Sequence, residues 1–314
     1  MPGLRPGGSA TDWPKSVRNG LGCVGERAGA VRKGASVTLN WSDDELGDTG
    51  RAAPPGVDIS VAHPARVYDY WLGGRDNFAA DRKAAEEVIA ANPSILPDVR
   101  ANRAFLGRAV RYLAGEAGIR QFLDIGTGLP AADNTHEVAQ SVAPESRIVY
   151  VDNDPIVLVH ARALLTSTPE GGTSYVEADL RDTEKILHAV AELLDLDRPV
   201  VIMLLAILQF IPDSDDPYGI VARLLAAVPP GSYLAVSHPA ADIKADTVAA
   251  ATARYNARVA TRMTRRTQAE VGRFFAGLDL VEPGLVQPHW WRPDPGQPPS
   301  SAEVSAHAGV GRKP

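Results

Sequence analysis

The chain has 314 residues, enough for one large or two small domains, and its net charge of −6 gives no electrostatic reason to expect nucleic-acid binding. Its single cysteine, Cys23, excludes an internal disulfide framework and a cysteine zinc site, and no His, Asp and Glu spacing suggests a metal site. With 45% hydrophobic residues, no bilayer-length apolar run and no signal sequence, the chain is expected to be a cytoplasmic globular protein.

The N-terminal third of the chain contains two kinds of sequence. Residues 1–56 are rich in Gly, Pro, Arg and Ser without periodicity, which predicts a disordered extension because such a segment buries too little apolar surface. Residues 57–118 then show three helical patterns, each followed by Gly or Pro, at 63–72, Ala79–Ala91 and 98–117. We expect these helices to form a cap on the rest of one domain, residues 57–314.

Strand and helix patterns alternate from residue 119 onward. Strands are predicted at Gln121–Ile125, 147–151, 173–177, 199–206 and 233–237, and helices between them at Thr135–Val142, 155–165, 183–194 and 217–228. This alternation predicts right-handed crossovers and a parallel sheet. Two helices at 245–259 and 268–276 follow, and strand material at 278–281, 285–291 and 308–313 predicts a C-terminal antiparallel hairpin.

A glycine turn follows the first predicted strand, in the order Asp124-Ile-Gly-Thr-Gly. Glycines there allow positive φ and close approach of the backbone to a ligand. The third glycine of a dinucleotide-binding fingerprint is missing, because Pro130 stands in its place. The turn therefore favours a nucleoside cofactor without a pyrophosphate.

Polar residues also follow the next three strands. Asp152 and Asn153 end the second strand, where a carboxylate can accept ribose hydroxyls, and Asp179 and Leu180 follow the third, where they suit an adenine amine and face. An apolar loop from Ala206 follows the fourth. Each acid alone is equally well explained as a helix cap or a solvated loop residue. Together, in chain order, they fit adenosine without phosphate, which indicates S-adenosylmethionine.

These motifs also carry a family resemblance. Asp124-Ile-Gly-Thr-Gly, Val151-Asp-Asn-Asp, Ala178-Asp-Leu and Leu208-Gln-Phe-Ile-Pro-Asp resemble the successive motifs of class I S-adenosylmethionine-dependent methyltransferases. From about Asp58 to the end, and above all in His63-Pro-Ala-Arg-Val-Tyr-Asp-Tyr-Trp-Leu-Gly-Gly-Arg-Asp-Asn-Phe, the chain resembles a bacterial family of S-adenosyl methyltransferases. The resemblance implies a Rossmann-like class I methyltransferase fold with a mostly parallel seven-stranded sheet, helices on both faces and extra N-terminal helices.

The resemblance also implies roles for single residues. Gly126, Thr127 and Gly128 would contact the methionine part of the cofactor, with Asp124 organising their turn. The nucleoside would be held by Asp152 and Asn153 at the ribose, Asp179 and Leu180 at the adenine, and Ala206 and Ile207 as the far wall. Gln209 departs from the family, in which His is frequent at this position; a loop position that tolerates either side chain is the simpler interpretation.

Other side chains are candidates for the methyl-transfer step. Tyr68 and Arg75 lie in the N-terminal signature and are interpreted as part of a lid, with Arg75 meeting the cofactor carboxylate; the alternative is an ordinary capped helix with a surface ion pair. His238 follows the fifth strand and is the best-placed catalytic base, or else a structural histidine. Of Trp290 and Trp291, at most one is expected to line an acceptor pocket, because neighbours in a strand face opposite ways.

The sequence thus predicts an S-adenosylmethionine-dependent methyltransferase with an unidentified acceptor, a small molecule or a protein, of which a small molecule is the expected class. Two alternatives stay open: a non-catalytic protein that binds S-adenosylmethionine or S-adenosylhomocysteine, and an NAD-dependent oxidoreductase. The missing third glycine disfavours the oxidoreductase. A pocket alone does not establish catalysis, so the binding protein is separated from the enzyme only by experiment.

Overall fold

The structure is a computed structural model that describes residues 58–157, 159, 167–296 and 301–314. Its strands are β1 Gln121–Ile125, β2 Arg147–Asp152, β3 Gly172–Glu177, β4 Val201–Leu205, β5 Tyr233–Pro239, β6 Asp279–Leu280 and β7 Ala306–Arg312. Its α-helices are α1 Pro64–Trp71, α2 Ala79–Ala91, α3 Ile95–Gly115, α4 Thr135–Val142, α5 Thr183–Val190, α6 Pro217–Ala226, α7 Ala245–Asn256 and α8 Gln268–Gly272. The predicted extension at 1–56 and most of the predicted helix at 155–165 lie outside the described residues.

The seven strands form one sheet in the order β3-β2-β1-β4-β5-β7-β6. The first five strands run parallel, and β7 pairs antiparallel with both β5 and β6, so the expected mixed sheet is confirmed. Strand order reverses at β1, whose neighbours are β2 and β4. In open sheets of this type, ligands bind beyond the carboxyl ends of the strands at such a reversal.

One strand prediction is wrong. The segment 285–291 forms only a single bridge, Val286 to Ala308, and continues as a 3₁₀-helix at Pro288–Trp290. Pro288 explains the difference, because proline has no N–H for a strand ladder and fixes φ near the helical value. Neither tryptophan reaches the large cavity of the domain: Trp290 is exposed, and Trp291 is buried edge-on against Phe105.

Helices cover both faces of the sheet because the central strands are apolar on both. On β1, Leu123 packs into one core together with Ile186 of α5 and Ile220 of α6. Phe122, which points to the opposite face, packs with α3 and α4. Parallel strands buried on both sides require such continuous apolar runs, which is why the sheet could be recognised from the sequence.

The N-terminal helices lie at the edge of the sheet where the parallel strands end. The His63 side chain caps α1 and also lies 3.0 Å from the Asp154 carboxylate, just after β2. Behind it, Arg66 is buried and lies 3.4 Å from Asp81 of α2. A separate apolar cluster packs α1 and α2 against Tyr255 of α7. These contacts hold the cap over the carboxyl ends of the strands.

None of the helices in the described ranges combines the length and apolar character needed to cross a membrane.

Candidate functional site

A large cavity opens at the carboxyl ends of the parallel strands. It encloses about 1550 Å³, including the space at its mouth. Its wall comes from the β1 turn, the residues after β2, β3 and β4, helices α1 and α3, the end of β5, and the segments around residues 263 and 305. The strand-end residues, the cap helices and the end of β5 thus border one continuous cavity, at the position where open parallel sheets bind their ligands.

The glycine turn after β1 is fixed by backbone hydrogen bonds and leaves its outer side bare. The N–H groups of Gly126 and Thr127 donate to the Val151 carbonyl at 2.8 and 3.3 Å. Gly126 has a φ of +75°, and a Cβ there would lie 2.6 Å from Cβ of Ile207. Gly128 has a φ of +66°, and a Cβ there would meet nothing within 4 Å. The first glycine thus permits close packing, while the second leaves backbone open to a ligand.

Asp124 lies beneath this turn in the wall of the cavity. Thr135 at the start of α4 donates its hydroxyl to the Asp124 carboxylate at 2.6 Å. Burial disfavours the charged form and raises the pKa of Asp124 to about 6, against the opposing effect of that hydrogen bond. This carboxyl therefore changes charge close to physiological pH.

Asp152 connects the end of β2 to the glycine turn. Its two carboxylate oxygens accept the N–H groups of Gly128 at 2.8 Å and Asp154 at 3.0 Å. Burial raises the pKa of Asp152, although both backbone hydrogen bonds oppose that effect. Each oxygen keeps a lone pair, so the carboxylate can still accept hydroxyl groups from a ligand in the cavity. Asn153 lines the cavity beside it.

Asp179 and Leu180 follow β3 at the outer rim of the cavity. Leu180 is buried, whereas the Asp179 carboxylate is 38% exposed and pairs with Arg181 at 3.0 Å. Asn153 donates to the same carboxylate at 3.3 Å. Partial burial alone would raise the pKa of Asp179, but the hydrogen bonds from Arg181 outweigh it and lower the pKa. The rim thus presents a charged acceptor beside an apolar surface.

The loop after β4 forms the opposite wall. Ala206 has a φ of +53°, a conformation that is strained for a residue with a Cβ and is held by hydrogen bonds on both sides. Its N–H donates to the Ser237 carbonyl at 3.0 Å, and its own carbonyl accepts from Gln209 Nε2 at 2.7 Å. The turn places Ile207 against the glycine turn, as the packing of Gly126 requires.

Tyr68 of α1 lines the cavity, and Arg75 does not. The Tyr68 hydroxyl donates to the Val99 carbonyl at 3.3 Å and accepts from Asn102 at 2.9 Å. Arg75 lies on an exposed part of the loop after α1. The arginine in the cavity near the glycine turn is Arg103 of α3, whose Nη2 donates to the Ala132 carbonyl at 2.7 Å. Arg103 was not among the residues singled out from the sequence, where it lies within the predicted helix at 98–117.

His238 lines the cavity but has both ring nitrogens engaged. Its Nε2 lies 3.0 Å from Nη1 of Arg266, which is always protonated and must donate. Nδ1 therefore carries the proton and donates to the Pro239 carbonyl at 2.9 Å. Burial lowers the pKa of His238 to about 3. This geometry leaves no free nitrogen to take a proton and fits the structural alternative better than the catalytic base.

Comparison with known proteins gives one consistent assignment. Residues 50–314 match the family described as S-adenosyl methyltransferase. The structure of a DUF574 family protein from Streptomyces avermitilis MA-4680 is similar, with 50% sequence identity, a TM-score of 0.79 and coverage of 82% of this chain and 99% of that one. A proposed methyltransferase from Thermobifida fusca YX has 42% identity, a TM-score of 0.76 and coverage of 83% and 98%. A search of curated proteins gives no match.

Proposed function

We propose that this chain, which belongs to the S-adenosyl methyltransferase family, transfers a methyl group to a small-molecule acceptor that binds in the same cavity as the cofactor. Its fold is the Rossmann-like class I methyltransferase fold, and its cofactor is S-adenosylmethionine. One observation carries the proposal for the acceptor. The cavity that contains the strand-end acids extends without interruption to a second group of polar side chains near β5.

The residues present fit the nucleoside part of the cofactor. Asp152 retains lone pairs for the two ribose hydroxyls, and Asn153 lies beside it. At the rim, Asp179 would accept the adenine amine and Leu180 would cover the ring, with Ala206 and Ile207 as the opposite wall. The bare backbone at Gly128 leaves the space that a bound molecule needs at the turn. We assign these residues to cofactor binding.

Two residues fit the amino-acid end of the cofactor. Arg103 lines the cavity near the glycine turn, so we assign it, instead of the exposed Arg75, to the cofactor carboxylate. Asp124 supports the turn from below, with its carboxyl held by Thr135. Gly126, Thr127 and Gly128 then pass alongside this end of the cofactor, and Tyr68 closes the cavity from the cap.

Bound S-adenosylmethionine supplies an electrophilic methyl group on its sulfonium sulfur. The contribution of the chain is to hold an acceptor in line with that group and to keep water out, a proximity effect that needs no general base when the acceptor is already deprotonated. We assign His238 to this scaffold: it accepts a hydrogen bond from Arg266, whose guanidinium also holds the carbonyls of Leu208 and Ile211 in the wall.

Two measurements test the proposed function. Calorimetric titration with S-adenosylmethionine, S-adenosylhomocysteine and NAD should show binding of the first two and none of NAD. Incubation of the protein with methyl-labelled cofactor and an unfractionated bacterial extract should then place the label in a small molecule. Label in protein would contradict the acceptor class, and binding without any labelled product would favour the non-catalytic binding protein.

A further inference from the structure

Three polar side chains near β5 have hydrogen-bonding atoms for which the described residues provide no partner. They are Asp98 in the first turn of α3, Gln209 in the loop after β4, and Arg265 in the segment before α8, and all three line the cavity. None of them belongs to the set assigned to the cofactor. They come from three segments that only the folded chain brings together.

Arg265 offers a positive charge to the cavity. Its Nε donates to the Thr252 hydroxyl at 2.7 Å and its Nη1 to the Ala240 carbonyl at 3.2 Å. No described residue accepts a hydrogen bond from Nη2. Burial lowers the pKa of Arg265 to about 10, so the group is still a cation at neutral pH. Two anchored nitrogens and one unused nitrogen make a rigid donor for an anion.

Asp98 offers a carboxylate to the same space. It is 7% exposed, and one oxygen accepts the Ser305 N–H at 3.2 Å. Burial raises the pKa of Asp98, while the charges of Lys244 and Arg265 act in the opposite direction. Asp98 and Arg265 therefore influence each other electrostatically, yet these two described residues form no direct ion pair. A ligand can contact both.

Gln209 adds an atom without a partner. The side chain is 4% exposed, and its Nε2 donates to the Ala206 carbonyl. Its Oε1 is buried and finds no hydrogen-bond partner among the described residues. Such an atom costs free energy unless something donates to it, and native structures contain few of them. Gln209 also lines the cavity, so a donor group on a bound molecule is the candidate partner for this oxygen.

This set lies apart from the end of the cavity that fits the nucleoside. Asp152 is the last residue of β2, whereas Arg265 bonds to the residue after β5, and the sheet places β1 and β4 between those strands. Three strand spacings of about 4.8 Å separate the two ends by roughly 14 Å. Near the second set, the cavity wall is apolar and aromatic, with Trp71, Phe210, Tyr255 and Met263.

We propose that Arg265, Asp98 and Gln209 select an acceptor that is a small aromatic or aliphatic acid with one carboxylate and one N–H or O–H group. Arg265 binds the carboxylate, Asp98 and Gln209 accept from the donor group, and the apolar side chains cover the body. A carboxylate fits better than a phosphate monoester, because one arginine balances a single charge and Asp98 would repel a second one. This inference rests on the proposed function.

The test uses matched probes with the full-length protein saturated with S-adenosylhomocysteine. Para-aminobenzoate should bind about tenfold more tightly than para-aminobenzamide, which lacks the carboxylate, and more tightly than para-toluate, which lacks the donor. Phenyl phosphate should bind more weakly than para-aminobenzoate. Equal affinity for para-aminobenzoate and para-aminobenzamide would overturn the proposal. So would tighter binding of phenyl phosphate than of para-aminobenzoate, or no binding of para-aminobenzoate.

Single substitutions test whether Arg265 and Asp98 are responsible for these differences in probe affinity. Arg265→Gln should abolish the difference between para-aminobenzoate and para-aminobenzamide, and Asp98→Asn should abolish that between para-aminobenzoate and para-toluate. The exposed Arg262 provides the matched control, so Arg262→Gln should change neither.

Affinity for S-adenosylhomocysteine reports folding and separates the two proposals. It should be the same in all three variants. If Arg265→Gln weakened it as much as it weakened probe binding, the arginine would hold the cofactor and the acceptor assignment would be wrong. If the unmodified protein did not bind S-adenosylhomocysteine, the proposed function would fail and this site with it.

Discussion

The two ends of the cavity are built in different ways. At the end assigned to the cofactor, which includes the nucleoside end, Asp124, Asp152 and Asp179 each lie at the end of a parallel strand or within two residues of it. At the β5 end, the polar groups belong to α3, to the loop after β4 and to an irregular segment. The Thr252 hydroxyl holds Arg265, the Ser305 N–H holds Asp98 and the Ala206 carbonyl holds Gln209.

This difference shows why a cofactor site is easier to recognise than an acceptor site. A strand that ends in an acid is a local pattern, and the fold places all such ends at one edge of the sheet. The β5 end depends on contacts between residues far apart in the chain, such as Asp98 with Ser305. Four substitutions test this comparison, two through protein stability and two through affinity for S-adenosylhomocysteine.

The largest expected effect comes from Arg266→Leu. Arg266 is 2% exposed, and its guanidinium donates to the carbonyls of Leu208 and Ile211, to His238 and to Asp213 at 2.7–3.0 Å. Leucine would leave the buried acceptors of Leu208, Ile211 and His238 without a donor, whereas the exposed Asp213 carboxylate would be hydrated. We expect the free energy of unfolding to fall by about 3–5 kcal/mol, measured by urea denaturation.

Arg262→Leu is the control for this experiment, because Arg262 is exposed and belongs to the same segment. It should change stability by less than about 0.5 kcal/mol. If the two variants lost similar amounts, the view that one buried cation holds the wall of the β5 end would be wrong.

The second-largest expected effect is a change in how the stability of the protein depends on pH, produced by Asp124→Asn. The pKa of Asp124 is about 6 in the folded state against 3.8 for the unperturbed group, so the folded state binds the extra proton between those values. Stability therefore falls as pH rises through this window, by roughly 3 kcal/mol in total, and stays lowered above it. Asparagine keeps an acceptor for Thr135 and does not titrate.

The measurement is the free energy of unfolding of both proteins at about pH 4 and about pH 7. Because the other buried acids are present in both proteins, their titration mostly cancels in the difference between variant and wild type, which then reports Asp124 and its weak coupling to Asp152. That difference should shift in favour of the variant by about 2–3 kcal/mol between the two pH values. A difference independent of pH would show that the carboxyl has an ordinary pKa.

The sequence predicted the sheet better than the site. The bounds of β1 and α4 match their predictions because a buried parallel strand needs an unbroken apolar run and a helix needs its cap. The strand expected at 285–291 failed at Pro288, and the cap arginine in the cavity is Arg103 instead of Arg75. Which arginine reaches a cavity depends on how a helix packs, and no local pattern encodes that.

Asp152→Asn tests the nucleoside end directly. The carboxamide has the same size but loses the charge and one of the acceptors that hold Gly128 and Asp154. We expect affinity for S-adenosylhomocysteine to fall by about 2 kcal/mol, roughly thirtyfold, in calorimetric titration. Glu177→Gln, at an exposed acid that ends β3, should leave affinity unchanged. Unchanged affinity in Asp152→Asn would remove the ribose assignment.

The smallest effect is expected for Asp179→Asn at the rim of the same site. Its carboxylate is 38% exposed and already pairs with Arg181, so water and that arginine compensate for much of any lost contact with an adenine amine. Hydrogen bonds and ion pairs at such exposed positions contribute about 0.5 kcal/mol, which corresponds to roughly a twofold loss of affinity for S-adenosylhomocysteine. A loss as large as that of Asp152→Asn would mean that the bound nucleoside excludes water from the rim. The rim would then become enclosed when the nucleoside binds, and the two ends of the cavity would no longer differ in their exposure to solvent.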